Sequence, residues 1–274
     1  MKAIKVIFAS VLKASIVIVN YRVPDLLEKC LESIRQHTRD YEILVHDNSP
    51  PNPNLGFAKA NNILIRKAQG EYIVLLNPDT WVTKGWLDKL IETAESHPRI
   101  GIVQSKTLRP NGLLDSTGHR YTFVYGVYMP GDRGALEADR GQYDLQTELK
   151  TCTFASVLIK RRVFESSGLL DEKMFLYCED MEFCLRAAKH GWRIVYCPRS
   201  VVYHVRHGSA STVVKISPWQ VYFAYIQFKY FGLMPFLAFI FTTIIRMPAG
   251  IKGKDASYLV KKLAIIPKIK RMIT

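Results

Sequence analysis

The stretch Glu71–Thr80, EYIVLLNPDT, runs five apolar or aromatic residues straight into Asn77-Pro78-Asp79. A proline fixes its own φ and restricts the residue before it, so Asp79 is expected at the exit of a buried strand with its carboxylate at the sheet rim. A lone carboxylate there suits a Mg2+ or Mn2+ that draws its other ligands from water and substrate phosphates. By itself the motif is also a good turn. Two more apolar runs end in polar groups, Asn20-Tyr21 and Asp47-Asn48. Three such ends in one sheet point to a shared ligand site, because open α/β sheets bind ligands beyond the carboxyl ends of their strands. In CEDMEFCLR, Glu179 and Asp180 fall at an expected helix start, where the dipole favours negative charge. They are either helix-end chemistry alone or a general base aimed at the cleft. Glu182 and Arg186, four residues apart, read as a structural ion pair. His204 ends an apolar run and is either structural or a ligand, with His207 as the fallback.

The elements that must position these groups follow from periodicity. SIVIVNY (Ser15–Tyr21), Tyr41–Ser49, Tyr72–Asp79 and Ile100–Lys106 read as strands. Asp25 is expected to cap a helix burying Leu26, Leu27, Cys30, Leu31 and Ile34. Gly56–Gly70 and Gly85–Pro98 read as two more helices, the second turning Trp86, Leu87, Leu90, Ile91 and Ala94 inward. This alternation predicts an α/β fold with a parallel sheet covered by helices on both faces. Pro110–Lys150 shows no such pattern and is expected to be irregular. Beyond it come a strand in TFASVLIKRR, a short helix at Val163–Ser167, a helix with Met181, Cys184, Leu185 and Ala188 inward, and two strands, RIVYCP and SVVYHV.

Hydrophobic residues make up 48% of 274 residues, enough for one large domain with an appendage. Of the net charge of +14, the segment from Lys215 onward carries +9, leaving +5 for everything before it. Basicity concentrated in an aliphatic and aromatic tail suits an anionic membrane surface rather than nucleic acid. The five cysteines have neither zinc spacing nor an even count, which favours a reducing cytoplasm. Lys13 interrupts the apolar N-terminus, which reads better as leading into a strand than as a signal peptide. A nucleotidyltransferase would carry a Gly-rich phosphate loop where this chain reads NYRVPD.

SIVIVNY, DNS, NLGFAKANN, LLNPD, FLYCEDMEFCLR with KHGW, and YHVRHGS occur in the order found in family 2 glycosyltransferases of the GT-A fold. The chain resembles the rhamnosyltransferase-like branch of that family over roughly Ala14–Ser211. The resemblance implies a GT-A-type, Rossmann-like sheet and inverting transfer from a nucleotide-sugar donor to a saccharide or lipid-linked saccharide acceptor. It implies that Asp47 contacts the base or ribose, that Asp79 is the second acid of a metal-binding D-x-D, and that Asp180 is the catalytic base. His204 resembles the late histidine near the diphosphate or metal. Asn54, Gly56, Phe57 and Lys59 match the segment beneath the donor, and Asn20, Tyr21, Asn77 and Glu179 complete the expected donor site. The first acid of D-x-D is Asn77 here, and the Ser49–Asn54 link is short for the family. A catalytically inactive scaffold is the alternative that this short link suggests.

The catalytic domain is expected over residues 1–214 and a helical, membrane-associating tail over 215–274. In the tail, Tyr230–Ile245 is apolar for sixteen residues, short of the roughly twenty that span a bilayer. Ser257–Met272 mixes Leu259, Val260, Leu263 and Ile266 with five Lys/Arg, as an interfacial helix would. The expected location is therefore peripheral, on the cytoplasmic face of the cell membrane.

Overall fold

The apolar runs pair into one sheet ordered β2-β1-β3-β10-β5-β11-β4. The computed structural model describes residues 13–206, 219–245 and 272. The strands are β1 (Ala14–Asn20), β2 (Tyr41–Asp47), β3 (Tyr72–Leu76), β4 (Thr80–Val82), β5 (Ile100–Leu108), β10 (Ser156–Lys160) and β11 (Arg193–His204). Short β6 (Leu114–Ser116) joins β5, and β9 (Thr147–Leu149) joins β11. Strands β1, β2, β3, β5 and β11 run in one direction, while β10 lies antiparallel between β3 and β5. The sheet is thus mostly parallel rather than wholly so. The TFASVLIKRR strand runs opposite to its neighbours, and no helix lies between β5 and β10 among the described residues.

Side chains alternate across the strands into two core layers, as a period of two demands. Ile16, Ile18, Val74 and Val103 pack with α1 (Pro24–His37) and α3 (Trp86–Glu95). Val17, Ile73, Leu75 and Ile102 pack with α2 (Phe57–Ile65), α4 (Arg161–Ser167) and α5 (Glu179–Lys189). Both faces are buried, so the strands read as near-continuous apolar runs.

Several expectations are corrected. Asp25 makes no cap; α1 starts after Val23 with Pro24 in its first turn, where the missing N–H costs nothing, and Asp25 adds only its charge there. Ala188 is exposed, because the buried arc of α5 runs through Phe183, Cys184 and Ala187 and also takes in Glu182. RIVYCP and SVVYHV form one strand, β11, whose register against β5 shifts between Cys197 and Val201. The stretch Pro110–Lys150 is not irregular: it holds β6, β9 and a hairpin of β7 (His119–Val124) and β8 (Val127–Asp132).

The chain divides into two compact units. The described part of the first is 13–120, 132–175 and 179–206; that of the second is 121–131, 176–178, 219–245 and 272. In the second, α6 (Trp219–Ile226) runs into a π-helical turn (Gln227–Phe231), and after Gly232 comes α7 (Leu233–Ile245). No helix among the described residues is long and apolar enough to cross a membrane. His207, residues 1–12 and, apart from Met272, the tail beyond Ile245 lie outside the described residues.

Candidate active site

Asp79 leaves β3 through Asn77-Pro78 and is turned inward: only 3% of it is exposed, so the carboxylate is buried rather than presented at the rim. The cause is pairing. β4 runs antiparallel to the end of β11, setting His204 opposite Thr80. The His204 Nε2 then lies 3.3 Å from Asp79 Oδ1, with Asn77 Nδ2 3.4 Å from the same nitrogen. On its other side the imidazole donates from Nδ1 to Asp115 Oδ2 at 2.8 Å. Asp115 comes from β6, and its Oδ1 accepts from Arg206 at 3.0 Å. The second arm of Arg206 donates to Asp132, whose carboxylate also faces His119 Nε2 at 3.8 Å. His119 Nδ1 is 2.9 Å from the Thr151 hydroxyl. Acids and bases therefore alternate along an unbroken run: Asp79, His204, Asp115, Arg206, Asp132, His119.

The electrostatics follow from that alternation. Burial works against a charged His204, but its hydrogen bonds to Asp115 and Asp79 outweigh it and push the imidazole up to about 9. Burial likewise opposes ionisation of Asp115, and the hydrogen bond and charge of His204, with Arg206 behind them, hold it below the usual carboxylate range.

Asp180 stands at the first turn of α5 and is half-buried. Burial pushes its carboxyl up, while the charge of His119 and the Met181 N–H, donating to Oδ1 at 2.7 Å, favour the ionised form. His119, at the far end of the run from Asp79, is thus the charge that acts on Asp180. Its neighbour Glu179 is buried, and its Oε2 has no hydrogen-bond partner among the described residues. Burial first, and the Asp180 charge second, raise Glu179 well above a normal glutamate. Glu182 is the structural pair expected, donated to by Arg186 Nη2 at 2.8 Å.

A second cluster occupies the ends of β1 and β2. The chain passes from β1 to β2 on one side and then crosses to β3 on the other, so β1 ends at the point where strand order reverses, where such sheets bind ligands. Asn20 Nδ2 and the Ser49 N–H both donate to Asp47 Oδ1, at 3.1 and 2.9 Å. Tyr21 lies beneath the Arg22 guanidinium at 5.2 Å. The segment after the short link is tied down by side chains. Asn48 accepts from Leu55 N–H at 3.2 Å and donates to Gly56 O at 3.2 Å, and Asn54 accepts from Gly56 N–H at 3.0 Å. Gly56 has φ 77°, and a Cβ there would meet Phe175 O at 2.4 Å, so only glycine lets Phe57 N–H reach that oxygen at 2.7 Å. This bond fixes the start of α2 beside the segment leading into α5. Lys59 points to solvent.

The family model described as Glycosyltransferase like family 2 matches residues 45–217, more than half of the chain. This chain belongs to glycosyltransferase family 2. The family 2 chain is 28% identical over 244 residues to the O-antigen biosynthesis protein RfbC of Myxococcus xanthus, covering 78% of this chain and 19% of that one. It is 27% identical over 185 residues to the N-acetylglucosaminyl-diphospho-decaprenol L-rhamnosyltransferase of Mycobacterium tuberculosis, covering 60% of this chain and 59% of that one. It thus spans less than two thirds of the length of either relative. Among solved structures, GalNAc-T7 with UDP, GalNAc and Mn2+ superposes with a TM-score of 0.63 at 15% identity, over 95% of this chain and 55% of that one. A likeness that distant shows the shared GT-A fold.

The donors in this family 2 chain fit a divalent ion. Asp79 Oδ1 and His204 Nε2 face each other at 3.3 Å, so an ion held by both would take the place of the proton they share. The Asp115 carboxylate on Nδ1 is the outer partner that ligating histidines use to fix their tautomer. No group of three or more His, Cys, Asp or Glu among the described residues converges on one point. An ion here would take its remaining ligands from water or a diphosphate.

Sequence reading missed Asp115, His119, Asp132 and Arg206. One signal was available. Asn111-Gly112 between apolar runs is a strong hairpin mark, and it turns β5 back into β6 with Gly112 at φ 83°, delivering Asp115 to His204.

Proposed function

We propose that this chain is an inverting glycosyltransferase, moving a hexosyl or deoxyhexosyl group such as rhamnose from a nucleotide-diphosphate sugar to a hydroxyl of a lipid-linked saccharide. The observation that carries the reading is the alternating run from Asp79, at the candidate diphosphate end of the cleft, to His119, whose charge acts on the candidate base Asp180. Membership of family 2 and the names of the relatives support the substrate class.

The donor lies across the ends of β1–β3. Both hydrogen bonds to Asp47 fall on Oδ1, which leaves Oδ2 to a ribose hydroxyl or base. Asn20 and Tyr21 wall that end, and Asn54, Gly56 and Phe57 lie beneath the donor, with Asn77 and Glu179 nearer the sugar; Lys59, exposed, has no assigned contact. Asp79 and His204 would hold Mg2+ or Mn2+, which would supply neutralisation of charge on the departing diphosphate. Asp115 and Arg206 keep His204 oriented. Asp180 accepts the proton of the acceptor hydroxyl while that oxygen bonds the anomeric carbon and the bond from that carbon to the diphosphate oxygen breaks on the opposite face. A carboxyl raised towards working pH is a stronger proton acceptor than an ordinary aspartate. Residues 1–214 form the catalytic part. The basic tail, 215–274, draws it to an anionic leaflet on the cytoplasmic side.

The test is thermal stabilisation by a panel of nucleotide sugars with and without Mn2+. A Mn2+-dependent shift for one donor, lost in Asp79→Ala, is expected. Unchanged, EDTA-insensitive donor binding in Asp79→Ala overturns the metal assignment. Donor binding without transfer or hydrolysis leaves the inactive scaffold in its place.

A further inference from the structure

The described part of the second unit is almost free of charge. Residues 121–131, 176–178 and 219–245 hold a single charged side chain, Lys229, and fifteen Phe, Tyr or Trp. Lys, Glu, Asp and Arg are the residues most regularly exposed on soluble proteins, yet large apolar groups here face outward. Phe123 (61%) and Tyr125 (66%) are exposed at the tip of the β7–β8 hairpin, as are Met234 (76%) and Phe241 (61%) on α7.

The two elements form one face. Tyr125 and Gly126, at φ 51° and 80°, make the hairpin turn. A Cβ on Gly126 would lie 2.9 Å from Ala238 Cβ, so the turn rests on α7. Met234, Ala238 and Phe241 are spaced i, i+4, i+7 along one stripe of that helix, with the exposed Leu237 beside it. The opposite stripe is taken up internally: Phe239 packs on Phe223 at 5.1 Å and Phe236 on Phe228 at 5.5 Å. Gln227, fully buried in the π-turn, fixes the hairpin. Its Nε2 donates to Tyr128 O at 3.0 Å and its Oε1 accepts from Tyr128 N–H at 3.4 Å, while the Tyr128 ring stacks on Phe231 at 4.7 Å. The outward aromatic groups are therefore held in place rather than loosely displayed.

We propose that the hairpin tip and the outer stripe of α7 seat in the headgroup and upper acyl region of a lipid bilayer. Tyr and Phe beside an apolar stripe suit a membrane interface. Charge agrees: the described part of the unit has one cation, Lys229, and no acid, and the sequence that follows, 246–274, carries eight Lys or Arg against Asp255 alone. An anionic headgroup layer complements both. This contact differs from electrostatic adhesion of the basic tail because it rests on apolar burial, and it stands whether or not the chain transfers a sugar.

The test uses the full chain with phosphatidylcholine vesicles, with and without phosphatidylglycerol, at low and high salt. Wild type is expected to retain a measurable part of its vesicle binding at high salt. Phe123→Ser with Tyr125→Ser, and separately Met234→Ser with Phe241→Ser, are expected to weaken partitioning about tenfold or more, with far-ultraviolet dichroism unchanged. Tyr125→Trp keeps the ring and reports depth: brominated lipids are expected to quench the added fluorescence over that of wild type. Unchanged partitioning in both serine pairs, complete release of wild type by salt, or no added quenching in the Tyr125→Trp variant overturns the proposal. So does a dimer on gel filtration that the same substitutions dissolve while vesicles are ignored, which would make the face a contact between copies. Mn2+-dependent stabilisation by nucleotide sugars, measured in parallel, reports separately on the transfer reading.

Discussion

Two regions of this chain use charge in opposite ways. Between Asp79 and Asp132 the first unit buries acids and bases in strict alternation, each side chain held by the next. The described second unit has one charged residue and displays its aromatic rings. A buried charge is tolerated only when paired and hydrogen-bonded, so the first region is rigid by necessity and any broken link is felt by its neighbours. An exposed ring leaves no buried charge behind when it is removed, so its loss is local. Substitutions should therefore be costly in one region and nearly neutral for folding in the other.

The largest effect is expected for Asp115→Ala. It leaves His204 and Arg206 without their shared carboxylate, and breaking a buried pair by removing one partner costs about 3–5 kcal/mol. Urea denaturation measures it; a loss below about 1 kcal/mol would mean the run is a surface network that screens itself. Next comes Asp180→Asn, which removes the proton acceptor at constant shape. Turnover is expected to fall about a hundredfold or more while donor affinity stays near wild type. Lost donor binding with turnover intact would reassign Asp180 to the donor site.

Glu179→Gln sharpens the comparison through pH. Glu179 titrates higher in the folded chain than its ordinary 4.5. The folded state therefore holds that proton more tightly than the unfolded state. The penalty for ionising it is absent below the ordinary value and grows as pH rises towards the folded value. Glutamine does not titrate, so the variant is expected to be the more stable near neutral pH, by about 1 kcal/mol or more, and to lose that advantage below about pH 4.5. An advantage that persists at pH 4 would assign the effect to packing instead. The smallest effect is expected for Met234→Ser, within about 0.5 kcal/mol in the absence of lipid, as at ordinary surface positions. A loss of several kcal/mol in urea would show that this side chain belongs to a core.

Much of the fold and part of the site could be read directly from local pattern. Continuous apolar runs such as Tyr72–Leu76 mark strands buried on both faces, and the residues that end them, Asn20, Asp47 and Asp79, lie at one edge of the sheet because strand direction is set by the alternation with helices. Asp180 was legible because an acid at a helix start has a local reason to be there. The partners of these residues were not legible. Asp115 meets His204 across 89 positions and Asp132 meets Arg206 across 74, and no local propensity records an ion pair between segments so far apart. The antiparallel entry of β10 and the inward turn of Asp79 belong to the same class. Each depends on which strand end closes over another, and only the assembled sheet decides that. The sequence alone therefore determined which groups stand at the rim of the sheet. Tertiary structure decided which of them are buried, which are paired, and hence which are charged.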